Sequence, residues 1–265
     1  MYAFEYHKPS SVEEAVAALS GKDDPKIVAG GMTLLPTMKQ RLAAPSDLVD
    51  LGGIKDLAGI REEGNALVIG AMTTHATVAR SELVASRIPA LAKLAGGIGD
   101  PQVRHRGTIG GSVANADPAA DYPAALLGLN ATVVTNQREI AAEDFFIDLF
   151  ETALEPEEVI TAVRFPVPQR AGYSKFPNPA SRYAIVGVFV AQTGAGTRVA
   201  VTGAKGSVFR VPEMEQALAS NFSPDAVANI RVPADDMNSD IHASAEYRAH
   251  LVTVMAKRAV VAAQA

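Results

Sequence analysis

The sequence contains no cysteine and no tryptophan, and only 6% of its 265 residues are aromatic. Without cysteine the chain forms no disulfide and supplies no thiolate ligand to zinc or to an iron–sulfur cluster. Its histidines do not show the HExxH spacing or another metal-ligand pattern. We therefore expect no metal site in this chain, so any redox chemistry must come from an organic cofactor.

Basic charge and long apolar runs are also scarce. The chain has 24 lysines and arginines against 29 aspartates and glutamates, and this net charge of -5 argues against a nucleic-acid surface. No apolar run approaches the roughly 20 residues that span a bilayer. The first residues lack the basic and apolar segments of a secretory signal. With 48% hydrophobic residues the chain can bury a large core, and we expect a cytoplasmic protein.

Two glycine pairs mark the candidate ligand-binding turns. Gly30-Gly31 follows a short predicted strand at 26–29 and precedes a predicted helix. This layout aims backbone N–H groups at a phosphate, although a plain strand–turn–helix connection has the same pattern. Gly110-Gly111 lies in the stretch 104–121, where small residues leave room for a ligand against the backbone. There Asp121 is either an acceptor for sugar-like hydroxyls or a helix cap.

The rest of the pattern predicts an α+β protein. Neither the G-x-G-x-x-G motif of a Rossmann site nor the G-x-x-x-x-G-K-[ST] motif of a P-loop occurs. The segment Val167–Pro179 is rich in proline, glycine and polar residues, and it is the best predicted domain boundary. Strands at 183–190 and 198–202, followed by helices at 212–218 and 243–262, predict a small α+β domain beyond it.

Several segments in fixed order resemble the FAD-binding medium subunits of molybdenum hydroxylases, which are the carbon monoxide dehydrogenase medium-chain and xanthine dehydrogenase FAD-domain family. The resemblance covers nearly the whole chain and rests on Ala29–Pro36, Ile69–Thr74, Thr108–Ser112, Lys175, Ser181–Val188 and Ser244–Arg248. It implies a vanillyl-alcohol-oxidase-type (PCMH-like) FAD-binding domain of two α+β subdomains, at 1–57 and 58–172. A small C-terminal α+β domain would occupy 173–265.

The resemblance also implies a set of FAD-binding residues and no catalytic residue. Both glycine turns would donate backbone N–H groups to the pyrophosphate. Asp121 would bond the ribityl chain, Lys175 would lie close to the flavin, and Tyr183 would lie by the isoalloxazine ring. The full implied set is Lys26, Ile27, Ala29, Gly30, Gly31, Met32, Thr33, Leu34, Ile98, Gly107, Thr108, Ile109, Gly110, Gly111, Ser112, Asn115, Asp121, Val159, Ile160, Lys175 and Tyr183. Three positions depart from the family pattern, namely Met32, His105 and Asn178-Pro179.

The implied function is that of an electron-transfer subunit, most like the medium chain of aerobic carbon monoxide dehydrogenase. Substrate would be oxidised in a molybdopterin-containing large subunit, and electrons would cross [2Fe–2S] clusters in a small subunit to FAD and an external acceptor. The implied assembly is a dimer of heterotrimers, a heterohexamer, with partner contacts at Val167–Pro179 and the C-terminal domain. The alternatives are a self-contained flavin oxidase or reductase and a non-catalytic nucleotide-binding scaffold subunit.

Overall fold

A three-stranded parallel sheet forms the first part of the chain, which a computed structural model describes over residues 1–264. Its elements are β1 (Glu5–His7), α1 (Val12–Leu19), β2 (Pro25–Val28), α2 (Leu34–Lys39) and β3 (Asp47–Asp50). The strands lie in the order β1-β3-β2. Helix α1 begins after Ser11, whose hydroxyl caps it by accepting the N–H of Glu14. Strand β2 lies at the sheet edge and runs directly into the first glycine turn.

A five-stranded antiparallel sheet with a helical layer forms the second part. In chain order, the strands of this part are β4 (Ile60–Glu63), β5 (Ala66–Gly70), β6 (Thr132–Thr135), β7 (Glu139–Ala141), β8 (Phe146–Asp148), β9 (Glu151–Thr152) and β10 (Ile160–Pro166). Strands β8 and β9 form a separate hairpin, and the other five form the sheet. Its helices are α3 (His75–Arg80), α4 (Glu82–Arg87), α5 (Pro89–Gly96), α6 (Pro101–Arg106), α7 (Ile109–Asn115), α8 (Tyr122–Gly128) and α9 (Ala142–Phe145). The sheet order is β4-β5-β10-β6-β7. Within the stretch 104–121, the second glycine pair therefore lies in the first turn of a helix.

A four-stranded antiparallel sheet covered by a long helix forms the third part. Its elements are β11 (Arg170–Pro177), β12 (Ala184–Thr193), β13 (Gly196–Thr202), β14 (Phe209–Arg210), α10 (Pro212–Ser220), α11 (Pro224–Val227) and α12 (Ala245–Gln264). The strands lie in numerical order, and α12 packs across β11 and β12. At the tightest point a Cβ on Gly172 would overlap the carbonyl oxygen of Ala259. Among residues 1–264, no helix combines the length and the apolar character needed to cross a bilayer.

Most of the predicted boundary segment Val167–Pro179 forms strand β11 (Arg170–Pro177). Most of that segment pairs with β12 and underlies α12. Its prolines flank the strand, because Pro168 precedes β11 and Pro177 ends it. Proline at strand ends removes no interior ladder hydrogen bond, so a proline-rich composition is compatible with a strand between the prolines. The strand also crosses residue 173, the predicted start of the third unit.

The third sheet fixes the segment 117–121 of the second part. The Thr202 hydroxyl donates to the carbonyls of Pro118 at 2.8 Å and Ala120 at 2.6 Å. The Gly203 N–H donates to Pro118 at 2.7 Å, and the same glycine's carbonyl accepts from the buried guanidinium of Arg248 at 2.9 Å. These hydrogen bonds connect α12, through the third sheet, to the loop that ends at Asp121.

Candidate functional site

A cavity of about 490 Å³ lies where the three parts meet. Its wall includes most of the predicted site residues, which are Lys26, Ile27, Ala29, Gly30, Gly31, Met32, Thr33, Leu34, Ile98, Gly107, Thr108, Gly110, Gly111, Ser112, Asn115, Asp121, Ile160 and Tyr183. Three others do not line it. Ile109 and Val159 are buried in the core, and Lys175 reaches Asp121. The fold thus brings both glycine turns and the tip of the β11–β12 hairpin to one cavity.

The first glycine turn presents a run of free backbone donors. Within residues 1–264, no protein acceptor takes the N–H groups of Gly30, Gly31, Met32, Thr33 and Leu34, and all of these residues line the cavity. Gly31 has a φ of +74°, a left-handed conformation that glycine adopts without a Cβ clash. Successive N–H groups turned to one side form a concavity that binds anions. The first turn therefore has the donors that a pyrophosphate requires.

The second glycine turn presents side chains instead. Its N–H groups already bond within the chain, from Ile109 to the Thr73 carbonyl at 3.0 Å, from Gly110 to the Ala71 carbonyl at 2.8 Å and from Gly111 to the Thr108 hydroxyl at 3.2 Å. They are not free for a pyrophosphate in the way the resemblance implies. Thr108, Ser112 and Asn115 line the cavity on this side and carry hydroxyl and amide groups.

Glycine is required where the turns approach other backbone. A Cβ on Gly30 would overlap the carbonyl oxygen of Arg106 and lie 2.8 Å from the Cα of Gly107. A Cβ on Gly110 would lie 2.6 Å from the Cβ of Ala71. Both approaches are closer than packed atoms allow, so these two glycines let the elements of the cavity wall meet.

A buried polar group stands at the Asp121 end of the cavity. Asp121 is 4% exposed, and its carboxylate accepts from the Tyr173 hydroxyl and, at 2.9 Å, from Lys175 Nζ. Lys175 also donates to the Gly97 carbonyl at 3.0 Å. Burial raises the pKa of Asp121, while Lys175 and Tyr173 act in the opposite direction. Lys175 therefore anchors the carboxylate. The Asp121 side chain accepts no N–H of α8, so the alternative prediction that it caps a helix is not met.

The tip of the β11–β12 hairpin covers this end. Its turn is held by Asn178, whose side-chain oxygen accepts the N–H of Ala180 at 2.9 Å. Arg182 has a left-handed φ of 63° and lines the cavity beside Tyr183, which is 43% exposed. Burial, followed by the charges of Asp117 and Asp121, raises the pKa of Tyr183, so the phenol stays protonated at neutral pH.

His75 lines the cavity but is not among the site residues predicted from the sequence. It is 4% exposed, and burial followed by the charge of Arg104 lowers its pKa to about 4, which leaves the imidazole neutral at pH 7. Its Nδ1 is buried and has no partner within the described part of the chain. The one local signal is its position directly after the Ile69–Thr74 segment that carries the resemblance.

Two of the departures from the family pattern have a defined place. Met32 is 38% exposed at the cavity wall, where its backbone belongs to the free-donor run. His105 is exposed and lies in the last turn of α6.

Comparison with known proteins bears on the whole chain. Residues 2–168 match the model of the FAD binding domain in molybdopterin dehydrogenase. The nicotine 6-hydroxylase medium subunit of Paenarthrobacter nicotinovorans is 40% identical, covering 99% of this chain and 98% of the relative. The carbon monoxide dehydrogenase medium chain of Afipia carboxidovorans is 38% identical, covering 99% and 97%.

Solved structures show the same likeness. A chain of the Cu,Mo-CO dehydrogenase superposes with a TM-score of 0.89 at 36% identity, covering 100% of this chain and 99% of that one. A chain of quinoline 2-oxidoreductase from Pseudomonas putida 86 gives 0.88 at 30% identity, covering 99% and 97%. These matches confirm the predicted α+β fold and the FAD cofactor. The chain belongs to the family of FAD-binding domains of molybdopterin dehydrogenases.

Proposed function

We propose that the chain is the medium subunit of a molybdenum hydroxylase and carries electrons from the [2Fe–2S] clusters of a partner subunit, through FAD, to an external acceptor. The observation that supports this most directly is the free-donor run Gly30–Leu34 in a cavity that spans all three parts of the fold. When bound, FAD supplies the redox chemistry, and the protein binds, orients and tunes it.

The residues of the cavity divide the binding of FAD among them. The free-donor run would hold the pyrophosphate, with Thr108, Ser112 and Asn115 as hydroxyl and amide partners. Asp121, kept in place by its two donors, has acceptor sites left for ribityl hydroxyls. Ile98 and Ile160 supply apolar wall, and Tyr183 has a ring at the cavity mouth. Lys26 and Ile27 lead into the first turn, and Ile109 and Val159 support the wall from the core.

The lack of cysteine supports the predicted partners. A chain without thiolates holds no iron–sulfur cluster, so electrons must reach the flavin from another subunit. Relatives that match over their full length are named as a medium subunit and a medium chain. We propose a molybdopterin-containing large subunit and a [2Fe–2S] small subunit as partners, assembled as a dimer of heterotrimers in the cytoplasm.

A self-contained oxidase would need a base at the cavity. The pKa of His75 lies near 4, so its imidazole is a weak proton acceptor at neutral pH. The Asp121 carboxylate is already bound by two donors. His75 is thus a weak base and Asp121 an occupied one, which favours electron transfer over proton abstraction by these two residues.

The decisive experiment is a ligand titration of the deflavinated chain. We expect FAD to stay with the chain after unbound flavin is removed and to give absorbance near 370 and 450 nm (approximate values for a protein-bound flavin). FMN lacks the adenylate half and ADP lacks the flavin half, so both should bind at least about tenfold more weakly. FMN binding as tight as FAD binding would contradict the assignment of the first turn to the pyrophosphate. Turnover of an organic substrate by the isolated chain would support the self-contained oxidase instead.

A further inference from the structure

A second pocket, here called the cationic pocket, is defined by Arg80, Arg104 and His105. Its volume is about 240 Å³, and its remaining lining comes from Ala76, Ala79, Gly96 and Pro101. None of the described residues that line it is acidic. It concentrates positive charge on a chain whose net charge is -5.

The cations of this pocket are not neutralised by the chain itself. Within residues 1–264, neither Arg80 nor Arg104 forms an ion pair with a carboxylate. The neighbouring Asp100 carboxylate accepts the Val103 N–H at 2.8 Å and caps α6. Arg104 Nη1 donates to the carbonyls of Ile98 at 2.8 Å and Gly99 at 2.9 Å. The Arg104 guanidinium is therefore positioned before a ligand arrives, which lowers the entropic cost of binding.

The cationic pocket lies behind the wall of the cofactor cavity. In α6, Val103 lines the cavity while Arg104 lines the pocket. In α3, His75 lines the cavity while Arg80 lines the pocket. One layer of helix separates the two spaces, and Arg104 is close enough to lower the pKa of His75 through its charge.

We propose that the cationic pocket is a docking surface for the iron–sulfur subunit and receives an acidic side chain from it. This inference rests on the electron-transfer function proposed above. Electron transfer weakens steeply with distance, so the donor must dock against a wall of the flavin cavity. Unpaired cations on an acidic chain steer a partner with an acidic face and suppress contacts with basic ones. The sequence predicts partner contacts at Val167–Pro179 and the C-terminal domain, and this surface adds the helical wall to them.

The test measures binding of the purified small subunit to the flavin-loaded chain. The variant combines Arg80→Glu and His105→Glu, which leave the Arg104 anchor and the cavity lining intact. The matched control combines Lys39→Glu and Gln40→Glu, two exposed residues at the C-terminal end of α2, which make the same change in formal net charge outside the predicted contact regions. At an ionic strength of ~0.01 M, where the Debye length is about 30 Å, we expect the pocket variant to raise Kd about tenfold or more. We expect the control to change Kd less than about twofold.

Salt and flavin content complete the design. At ~1 M salt the Debye length falls to about 3 Å, so the difference between the pocket variant and the native chain should nearly vanish. Equal binding by the variant and the native chain at low salt, or equal weakening by the control, overturns the proposal. The proposal is also overturned if the pocket variant loses binding to the large subunit while its binding to the small subunit is unchanged. A milder pair, Arg80→Gln with His105→Gln, gives the same readout with a smaller effect if the glutamates prevent folding. A flavin-loaded chain that fails this test refutes the docking surface alone, whereas a chain that binds no FAD refutes the function.

Discussion

Replacing Lys175 with methionine tests whether this residue anchors Asp121. Methionine keeps much of the side-chain length but removes the ammonium that lies 2.9 Å from the carboxylate. The Asp121 side chain is 4% exposed and would keep only the Tyr173 hydroxyl as a donor. Removing one partner of a buried ion pair costs about 3–5 kcal/mol, a large part of a typical stability of about 5–15 kcal/mol. We therefore expect Lys175→Met to lower the free energy of unfolding of the deflavinated chain by that amount at pH 7.5.

The pH dependence of this loss follows from Asp121. Its pKa in the folded chain is raised by burial, so the folded state favours the protonated acid. That contribution to stability is present at low pH and is lost as pH rises through the folded pKa. Without Lys175 the pKa rises further, because a cation that favours the carboxylate has been removed. The deficit of Lys175→Met should therefore be largest near pH 8 and shrink to about 1 kcal/mol near pH 4.5.

Urea unfolding followed by circular dichroism measures these differences, since the chain has no tryptophan for fluorescence. Lys205→Met is the matched control. Its ion pair with Asp236 spans 3.5 Å at the surface and should contribute less than about 1 kcal/mol. Adding Asp121→Asn to Lys175→Met removes the uncompensated charge and should recover stability at pH 7.5. A deficit that is the same at both pH values, or a double variant no more stable than the single one, would refute the anchoring role.

Three further predictions concern single positions. Gly111→Val should fold and lose at least about tenfold in FAD affinity, whereas Gly194→Val, where a Cβ meets open space, should bind FAD normally; equal flavin content in both would contradict the site. Tyr183→Ala should change stability by less than about 0.5 kcal/mol, because the side chain is 43% exposed, and should shift flavin fluorescence and potential; an unchanged flavin would remove Tyr183 from the site. Arg210→Met should lower the free energy of unfolding by about 2–4 kcal/mol, because the Glu215 carboxylate loses the guanidinium that donates to it at 2.6 and 2.8 Å. Adding Glu215→Gln should restore most of that stability, and a further loss would contradict this account.

Features set by nearby residues could be predicted from the sequence. The strand predicted at 26–29 forms as β2 (Pro25–Val28) directly before the first glycine turn, and the helix predicted at 243–262 forms as α12 (Ala245–Gln264). The glycine turns were identified because glycine is the residue that allows close approach and a positive φ. Each of these signals lies within a few residues of the feature it predicts, so tertiary contacts did not need to be known.

Features set by distant partners could not be predicted in this way. Strand β11 owes its conformation to pairing with β12 and to packing under α12. Its partners lie far away in the sequence: the Ser174 hydroxyl donates to the sulfur of Met255 in α12 at 3.6 Å, more than eighty positions along the chain. The N–H of Gly110 is satisfied by Ala71, so its unavailability to a ligand appears only in the folded chain. The predicted boundaries after residues 57 and 172 stay predictions, as do the roles of the individual FAD-binding residues.

Residues from three parts of the fold form the cavity wall, and each part contributes groups that bind or orient a ligand. The first part supplies free backbone donors, the second supplies glycines and small polar side chains, and the third holds Asp121 in place through Lys175 and the loop 117–121. Each contribution binds or orients a ligand, and burial lowers the pKa of the wall residue His75, which keeps its imidazole neutral. A subunit whose chemistry is carried by a bound redox cofactor needs this kind of preorganised enclosure, because its rate depends on where the cofactor lies.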